Sequence, residues 1–346
     1  MITLGIETSC DETAMCLLET QDNQYKILGN IVHSQIETHK EFGGVVPMIA
    51  KREHIKNLPI IYEKILKDSG VNENQISRIA VTNGPGLEPA LWTGILFAKD
   101  LGKRLNIPVI PINHMEGHIV ASLLSTSSTQ KDFAELKPLD FPTIALLISG
   151  GHTELIEVDN IGSYEVLGAT VDDAVGEAFD KVARMLELPY PGGPEISKLA
   201  EYARNNNIDK QISLPRPMIH SKDMTFSFSG LKTAVLYTLK KIENVTVEQK
   251  QDIAREFEDA VTEVLISKTK MAIEKISTQS LIIGGGVIAN THIRKSFEQL
   301  AKEYSLSLYL PASGLSGDNA LMIALAGTIK PSNDYEGFKA DGNLSL

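Results

Sequence analysis

Short apolar runs alternate with longer periodic segments along the chain. The first run predicts a strand at Ile2–Glu7, followed by a polar turn at 8–12 and a second strand through 16–18. The segment TIALLISGGHTELIEV at 143–158 repeats this plan, with Ser-Gly-Gly-His-Thr as its turn. This repeat predicts two domains related by duplication, each of which opens with a β-hairpin.

Periodic segments between the apolar runs predict helices. The pattern predicts helices at 54–68, 91–105, 290–303 and 318–328, and further strands at 79–82, 109–112 and 281–283. Strands that alternate with helices favour an α/β fold with partly parallel sheets. A stretch rich in Ser, Thr and Pro at 125–142 predicts a loop or an interdomain connection.

The domain organisation follows from this pattern. We predict a first domain over residues 1–130, a second domain over 131–317 and a polar tail over 331–346. We expect the helix near 318–330 to pack against the first domain.

Composition narrows the class of protein. The formal net charge of −11 argues against an autonomous nucleic-acid binder, because phosphate affinity comes mainly from Lys and Arg. The only cysteines, Cys10 and Cys16, have no zinc spacing and make no disulfide framework. The sequence shows no secretory signal and no apolar run long enough to span a membrane. We therefore expect a cytoplasmic protein.

The histidine pair in INHMEGHIV, residues 112–120, is the clearest candidate for chemistry. Asn113 suits an N-cap with Glu116 three residues later, so a helix is expected to begin here. His114 and His118 then lie one turn apart on one face, close enough to share a metal ion. Glu116 lies about 200° round the helix from either histidine, which excludes a His-Glu-x-x-His protease. The pair alone suits either a metal site or two hydrogen-bonded histidines.

A metal site needs a third protein ligand. Asp318, in LSGDNALMIALAG, is the candidate, although its place before a helix also suits an N-cap. Two histidines and one carboxylate would leave coordination positions open, which suits a catalytic zinc or iron(II) ion.

Several glycine-rich turns follow predicted strands. They are NGPG at 83–86, SGGHT at 149–153, YPGGPE at 190–195 and IGGGVIAN at 283–290. Glycine exposes backbone N–H groups that suit phosphate and ribose oxygens. GGGVIA fits G-x-G-x-x-A, but the strand at 307–310 ends in Pro311 rather than an acid, which argues against a dinucleotide site. The turns predict a nucleotide held by separate loops across a cleft.

Asp180 lies in the acidic segment DDAVGEAFDKVARML at 172–186, whose later part predicts a helix. Its carboxylate suits either an acceptor for ribose hydroxyls or a solvated helix face.

An ordered series of motifs resembles one known family. The motifs are GIETSCDET (5–13), FGGVVP (42–47), GPGL (84–87), HMEGH (114–118), SGGHT (149–153), GEAFDK (176–181), PGGP (191–194), FSFSGLKT (226–233), GGGVIAN (284–290) and SGDNA (316–320). The same series, in the same order, is typical of the TsaD family of bacterial tRNA N6-adenosine threonylcarbamoyltransferases. The resemblance spans nearly the whole chain.

This resemblance implies a fold and a set of site residues. The fold is the two-domain α/β fold of actin, sugar kinases and heat-shock chaperones, with duplicated RNase H-like domains and an interdomain cleft. It implies one divalent metal ion, iron or zinc, on His114, His118 and Asp318. The residues implied for the adenylate are Leu147, Ile148, Ser149, Gly150, Gly151, Asp180, Gly193 and Asn290. Archaeal-type relatives carry a metal-reaching tyrosine where Leu147 stands, so substrate or water would complete the metal shell here.

The implied reaction moves a threonylcarbamoyl group from threonylcarbamoyl-AMP to N6 of the adenosine 3′ to the anticodon, in tRNAs reading codons that begin with A. We expect Asp11 and Glu12 to face the cleft, either for general-base or positioning work at N6 or as a plain polar turn. The resemblance implies tRNA, a TsaB-like paralogue and a TsaE-like ATPase as partners. It leaves open ATP with Mg²⁺ as a further ligand and a homodimer.

The basic residues that could contact tRNA form few clusters, which indicates that a partner supplies part of the tRNA surface. The clusters are Lys51-Arg52 with Lys56, Lys99 with Lys103-Arg104, and Lys232 with Lys240-Lys241. Two other classes share the fold: a small-molecule kinase, which would not need HMEGH with SGDNA, and a non-catalytic scaffold, which would lack the complete His, His, Asp set.

Overall fold

The computed structural model describes residues 1–21, 24–126, 133–312, 314–330 and 337–346. These residues form two compact units, each described below by itself. The N-terminal unit is Met1–Pro138 with Pro311–Leu346, and the central unit is Leu139–Leu310. The predicted boundary between residues 130 and 131 lies outside the described residues, as do residues 331–336 of the predicted tail. Within the described ranges, no helix is both long and apolar enough to cross a membrane.

Strands and helices alternate along the chain, as the sequence predicts. In chain order the strands are β1 (Ile2–Glu7), β2 (Glu12–Gln21), β3 (Gln24–Ser34), β4 (Ile76–Gly84), β5 (Val109–Asn113), β6 (Leu124–Thr126), β7 (Phe133–Leu136), β8 (Thr143–Ile148), β9 (Thr153–Asn160), β10 (Ser163–Ala169), β11 (Ser280–Gly284) and β12 (Ser307–Tyr309). The helices are α1 (Ile36–Lys40), α2 (Pro47–Ser69), α3 (Glu88–Leu105), α4 (His114–Ser122), α5 (Val175–Met185), α6 (Gly192–Asn205), α7 (Ser229–Lys240), α8 (Val247–Ile276), α9 (Thr291–Glu303) and α10 (Ala320–Ile329).

Each unit contains one sheet among the described residues, and the two sheets share a plan. In the N-terminal unit the strand order is β5-β4-β1-β2-β3-β7-β6, with β1 parallel to β4 and antiparallel to β2. In the central unit it is β10-β9-β8-β11-β12, with β8 parallel to β11 and antiparallel to β9. β1 to β5 therefore correspond in order and direction to β8 to β12, which supports the predicted duplication.

The first strand of each sheet, in chain order, is buried along its whole length. Every residue of Ile2–Glu7 and of Thr143–Ile148 is buried, because helices or neighbouring strands cover both faces. Burying one such aliphatic side chain contributes about 1.5–3 kcal/mol, so these strands form rigid supports for the turns that follow them.

Two predicted segments differ from the structure. The predicted connection at 125–142 contains β7, which pairs with β3 through Tyr25 and Ala134, while residues 127–132 lie outside the described part. Part of a segment whose polar composition is typical of loops therefore forms a strand, because its backbone groups pair with those of β3. The helix predicted at 54–68 begins earlier, because Pro47 occupies its first turn, where a missing N–H has no cost.

Residues 337–346 contain no helix or strand, yet they contact the N-terminal unit. Lys99 Nζ donates to the Phe338 carbonyl at 2.6 Å and lies 4.1 Å from the centre of its ring. Asn113 Nδ2 donates to the Ser345 carbonyl at 3.1 Å. The Lys99 ammonium, a predicted tRNA contact, is therefore engaged within the fold.

Candidate active site

The histidine pair lies at the beginning of α4. The Asn113 side-chain oxygen accepts hydrogen bonds from the backbone N–H groups two and three residues later, at 2.8 and 3.4 Å. This cap confirms the predicted helix start and places His114 and His118 one turn apart. The Glu116 carboxylate pairs with Lys330 Nζ at 2.7 Å, which agrees with the exclusion of a protease.

Asp318 reaches the histidines because α10 packs closely against β1 and α4. A Cβ on Gly5 would lie 2.3 Å from the Ala320 carbonyl oxygen, and one on Gly117 would lie 3.2 Å from α10 side chains. The N-cap of α10 is Asn319, whose side chain accepts a backbone N–H of the first turn at 3.1 Å. The alternative that Asp318 caps this helix is therefore wrong, and its carboxylate points to the histidines.

The two histidines and Asp318 form a compact set of possible ligands. Asp318 Oδ1 lies 3.3 Å from His114 Nε2 and 3.3 Å from His118 Nε2. The ring centres are 4.8 Å apart and the rings are nearly perpendicular, at 89°. His118 Nε2 is buried, and because its approach to Asp318 Oδ1 lacks hydrogen-bond geometry, it has no hydrogen-bond partner among the described residues. Buried polar atoms normally have partners, so this nitrogen fits a metal ligand.

The charges of this cluster favour a cation. Burial lowers the pKa of His114, but the carboxylates of Asp318 and Glu7 raise it more, so its pKa lies well above the ordinary value. Burial raises the pKa values of Asp318 and Glu7, yet His114, together with His118 at Asp318 and Thr82 at Glu7, more than offsets this effect and both values are lowered. Two ionised carboxylates thus flank one imidazole, and they favour positive charge between them, either a proton or a metal ion.

Glu7 was not among the site residues predicted from the sequence. This residue ends β1 and is fully buried, and its carboxylate faces His114 from the side opposite Asp318. A charged residue at the end of an otherwise apolar strand is the feature that could have revealed it, because buried carboxylates are rare unless paired.

Asp11 lies in the turn between β1 and β2, and Glu12, which was predicted in the same turn, is the first residue of β2. The turn is fixed by Gln35, whose N–H donates to the Asp11 carbonyl at 3.0 Å, and by Ser34 Oγ, which donates to Glu12 Oε1 at 3.2 Å. Burial first, then the charges of Asp11 and Asp318, raise the pKa of Glu12 to about 9. In the metal-free chain Glu12 therefore holds a proton at neutral pH, and a protonated carboxyl can donate a hydrogen bond.

The glycine turns of the central unit lie at the carboxyl ends of the parallel strands β8 and β11. A Cβ on Gly285 would lie 2.3 Å from the Ile148 carbonyl oxygen, so the two turns are adjacent. Ser149 is buried, whereas Gly150 and Gly151 are exposed and have open space where a Cβ would stand. Ligands of α/β folds bind at such strand ends.

The side chains of Asp180 and Asn290, which are also implied for the adenylate, already form hydrogen bonds within the chain. Asp180 Oδ1 accepts the Gly192 N–H at 2.7 Å, at the start of α6, where Gly193 follows with open space beside it. The side-chain oxygen of Asn290 caps α9, and its Nδ2 donates to Glu258 Oε1 at 2.5 Å. Asn290 could therefore contact a ligand through the second hydrogen of Nδ2, through its backbone, or by giving up one of these bonds.

The prediction that Leu147 and Ile148 contact the adenylate is corrected for their side chains. Both side chains are completely buried in β8. Without exposed surface they cannot contact a substrate, and only their backbone atoms remain available. Successive side chains of a strand point to opposite faces of the sheet. Both faces of β8 are covered, so Leu147 and Ile148 are both buried.

Among the predicted tRNA contacts, Lys232 is also engaged. Its ammonium pairs with Asp173 at 2.9 Å, and Lys181 pairs with the same carboxylate at 2.8 Å. The positive surface that remains for tRNA is smaller than the sequence indicates.

Comparisons with known proteins agree on one family. The family model for TsaD, tRNA N6-adenosine threonylcarbamoyltransferase, matches residues 26–325. A protein with this name from Thermosipho melanesiensis is 48% identical over 94% of each chain. Others are 44% identical in Burkholderia lata, over 99% of this chain and 95% of the relative, and 42% identical in Nitrosomonas europaea, over 100% and 97%.

Solved structures match the fold. The activator of 2-hydroxyisocaproyl-CoA dehydratase from Clostridium difficile aligns with a TM-score of 0.51 at 15% identity, over 94% of this chain and 92% of that one. Full-length HypF aligns with a TM-score of 0.56 at 13% identity, over 94% of this chain and 45% of that one. These neighbours confirm the predicted fold class of actin, sugar kinases and heat-shock chaperones.

Proposed function

The chain belongs to the TsaD family of tRNA N6-adenosine threonylcarbamoyltransferases, and we propose that His114, His118 and Asp318 hold its divalent metal ion. The chain transfers a threonylcarbamoyl group to N6 of an adenosine in tRNA, forming N6-threonylcarbamoyladenosine. This assignment decides against the kinase and scaffold alternatives. The observation that carries the metal proposal is the buried, unpartnered His118 Nε2 beside Asp318 Oδ1.

In the reaction as we propose it, N6 of the adenosine 3′ to the anticodon attacks the carbamoyl carbon of threonylcarbamoyl-AMP. The new N–C bond forms, the bond from that carbon to the phosphate oxygen breaks, AMP leaves and N6 loses a proton. The amine is a weak nucleophile because its lone pair is delocalised into the ring, so positioning and charge stabilisation are needed. The bound metal would act as a Lewis acid toward the donor's oxygens.

The chain's own residues supply the remaining contributions. His114, His118 and Asp318 provide a ligand set with open coordination positions, which suits iron or zinc. Protonated Glu12 would donate a hydrogen bond to an oxygen of the reacting group. Backbone N–H groups of Gly150 and Gly151 would hold the adenylate phosphate, because the turn is exposed and free of side chains.

A bulky side chain in the glycine turn tests the adenylate site. Gly151→Val should weaken binding of AMP to the full chain about tenfold, since the added methyl groups would occupy the space beside the phosphate. The fold should be unaffected, because a Cβ here meets no atom within 4 Å. Isothermal titration with AMP measures the effect.

Gly230→Val is the matched control for that experiment. Gly230 also has open space around its Cβ position, and it has no proposed contact with the nucleotide. AMP binding by Gly151→Val at the affinity of Gly230→Val would show that the turn does not hold the phosphate.

We propose that tRNA binding needs a TsaB-like paralogue and a TsaE-like ATPase. The net charge of −11 and the engagement of Lys99 and Lys232 within the fold support this, because two of the candidate phosphate contacts already bind groups of this chain. The purified chain with both partners, threonylcarbamoyl-AMP and unmodified tRNA should form the modified nucleoside, detected by mass spectrometry. Without the partners we expect at least about a tenfold lower yield and weak tRNA binding. Tight tRNA binding by the chain alone would contradict the partner proposal.

A further inference from the structure

We propose that Glu7 is a positioning residue of the metal centre, which determines the nitrogen of His114 that is available as a ligand. The proposal rests on the metal assignment made above. Glu7 does not touch the open side of the cluster, because His114 lies between its carboxylate and Asp318. Its action on the reaction would therefore pass through His114.

The contacts of Glu7 define its chemistry. Its Oε1 accepts the backbone N–H of Ser9 at 2.5 Å, and its Oε2 accepts the Thr82 hydroxyl at 2.6 Å. The same Oε2 lies 3.1 Å from His114 Nδ1. The carboxylate is fully buried and is surrounded by hydrogen-bond donors, so it acts there only as an acceptor.

An acceptor at this position determines the tautomer of the imidazole. His114 Nδ1 must carry a hydrogen to donate to Glu7, which leaves Nε2 as the nitrogen with a free lone pair. Nε2 is the atom that lies 3.3 Å from Asp318 Oδ1 and faces the other ligand atoms. A carboxylate behind a metal-binding histidine both orients the ring and increases its basicity.

Ser9 Oγ is a second neighbour of the same nitrogen, at 3.3 Å from His114 Nδ1. A hydroxyl can donate or accept, so it is compatible with either tautomer of the imidazole and selects neither. Of these two side chains, only Glu7 enforces one tautomer of His114. Removal of the hydroxyl is therefore the matched control for a change at Glu7.

Glu7→Gln reverses the hydrogen-bond requirement without changing shape. With its oxygen facing the Ser9 N–H, the new amide would present N–H groups to His114 Nδ1, which would then have to accept. The imidazole proton would move to Nε2 and block ligation. In the flipped amide, N–H groups would face the Ser9 N–H, so a donor would oppose a donor. Both arrangements disfavour metal binding.

Zinc affinity of the metal-stripped full chain, measured by competition with a chromophoric chelator, tests this proposal. We expect Glu7→Gln to weaken zinc binding about 10- to 100-fold and Ser9→Ala to change it less than about twofold. Equal zinc affinity of wild type and a folded Glu7→Gln variant would overturn the role of Glu7. Absence of zinc binding by the wild-type chain would instead overturn the metal assignment itself.

A second measurement needs no variant, in case Glu7→Gln does not fold. Nitrogen-15 NMR of the zinc-loaded wild-type chain should show a proton on His114 Nδ1 and the metal shift on Nε2. Zinc bound through Nδ1, or an Nδ1 without a proton, would overturn the proposal even if zinc affinity is high.

Discussion

Replacing His118 by alanine is expected to remove the bound metal ion and to slow threonylcarbamoyl transfer about 100- to 1,000-fold. The variant would leave only His114 and Asp318 as protein ligands, and catalytic zinc sites use three. Loss of the Lewis acid costs several kcal/mol of transition-state stabilisation, and each 1.36 kcal/mol is a factor of ten in rate. The measurements are bound metal by mass spectrometry after zinc loading and dialysis, and nucleoside formation in the reconstituted reaction.

His220→Ala is the control for this experiment. His220 is exposed and belongs to the central unit, so its loss should change neither metal content nor transfer. Metal-free His118→Ala should unfold at a somewhat lower temperature than the metal-free wild type, because truncating a buried side chain leaves a cavity, so both chains are compared below the unfolding temperature of the variant. Stoichiometric zinc in His118→Ala after dialysis would show that the ligand assignment is wrong.

The duplicated sheets could be predicted from the sequence because their information is local. Ile2–Glu7 was predicted with the observed bounds, since an apolar run between turn residues defines a buried strand without reference to distant residues. The turn at 149–153 revealed the second hairpin for the same reason. The cap at Asn113 is also local, because the side chain and the N–H groups it accepts lie within three residues.

The long helix α8 could not be predicted from its pattern, because its buried positions include charged residues. Arg255 pairs with Asp252 within the helix, and Glu258 accepts a hydrogen bond from Arg204 of α6. Lys268 is fully buried and donates to the Asp223 carbonyl at 2.7 Å. Because these charged side chains are buried against partners, polar residues of α8 are not confined to one exposed face. Helix prediction from sequence depends on such a face.

Long-range contacts also decided the roles of neighbouring polar residues. Asp318 and Asn319 are both good N-caps by type, and only the packing of α10 shows that Asn319 caps the helix while Asp318 faces the histidines. Glu7 contacts Thr82 and His114, which are distant in sequence. A single sequence holds no record of these distances, so only the family resemblance favoured Asp318 as a metal ligand over Asp318 as an N-cap.

Glu12 should contribute to transfer as a proton-bearing donor rather than as a base. In the metal-free chain its pKa is about 9, and burial and Asp11, two of the causes of this shift, remain when a metal ion is bound, so we expect the side chain to stay neutral at pH 7.5. Glu12→Gln preserves a neutral donor of the same shape, so we expect a loss of at most about fivefold, whereas Glu12→Ala should lose about 100-fold. Transfer from preformed threonylcarbamoyl-AMP at pH 7.5 gives the comparison. Equal losses in both variants would indicate a base, and wild-type rates in both would remove Glu12 from the mechanism.

The same pKa predicts how stability depends on pH. The native state holds the Glu12 proton up to about pH 9, whereas the unfolded chain releases it near the ordinary value of 4.5. The native state binds more protons between these values, so the contribution of Glu12 is complete below pH 4.5 and is lost as pH rises through 9. Glutamine does not titrate, so the unfolding temperature of Glu12→Gln relative to wild type should rise from pH 5 to pH 9, by more than the roughly 2–4 °C that 1 kcal/mol produces.

Calorimetry of the metal-free chains measures this difference, and metal-free protein is required because a cation beside Asp318 would offset one of the charges that raise the Glu12 pKa. Glu63→Gln, on the exposed side of α2, is the control and should differ from wild type by the same amount at every pH. A constant difference for Glu12→Gln as well would mean that Glu12 ionises normally in the folded protein. The donor role would then fail together with the stability prediction, because both depend on the proton that burial and the neighbouring carboxylates hold on this side chain.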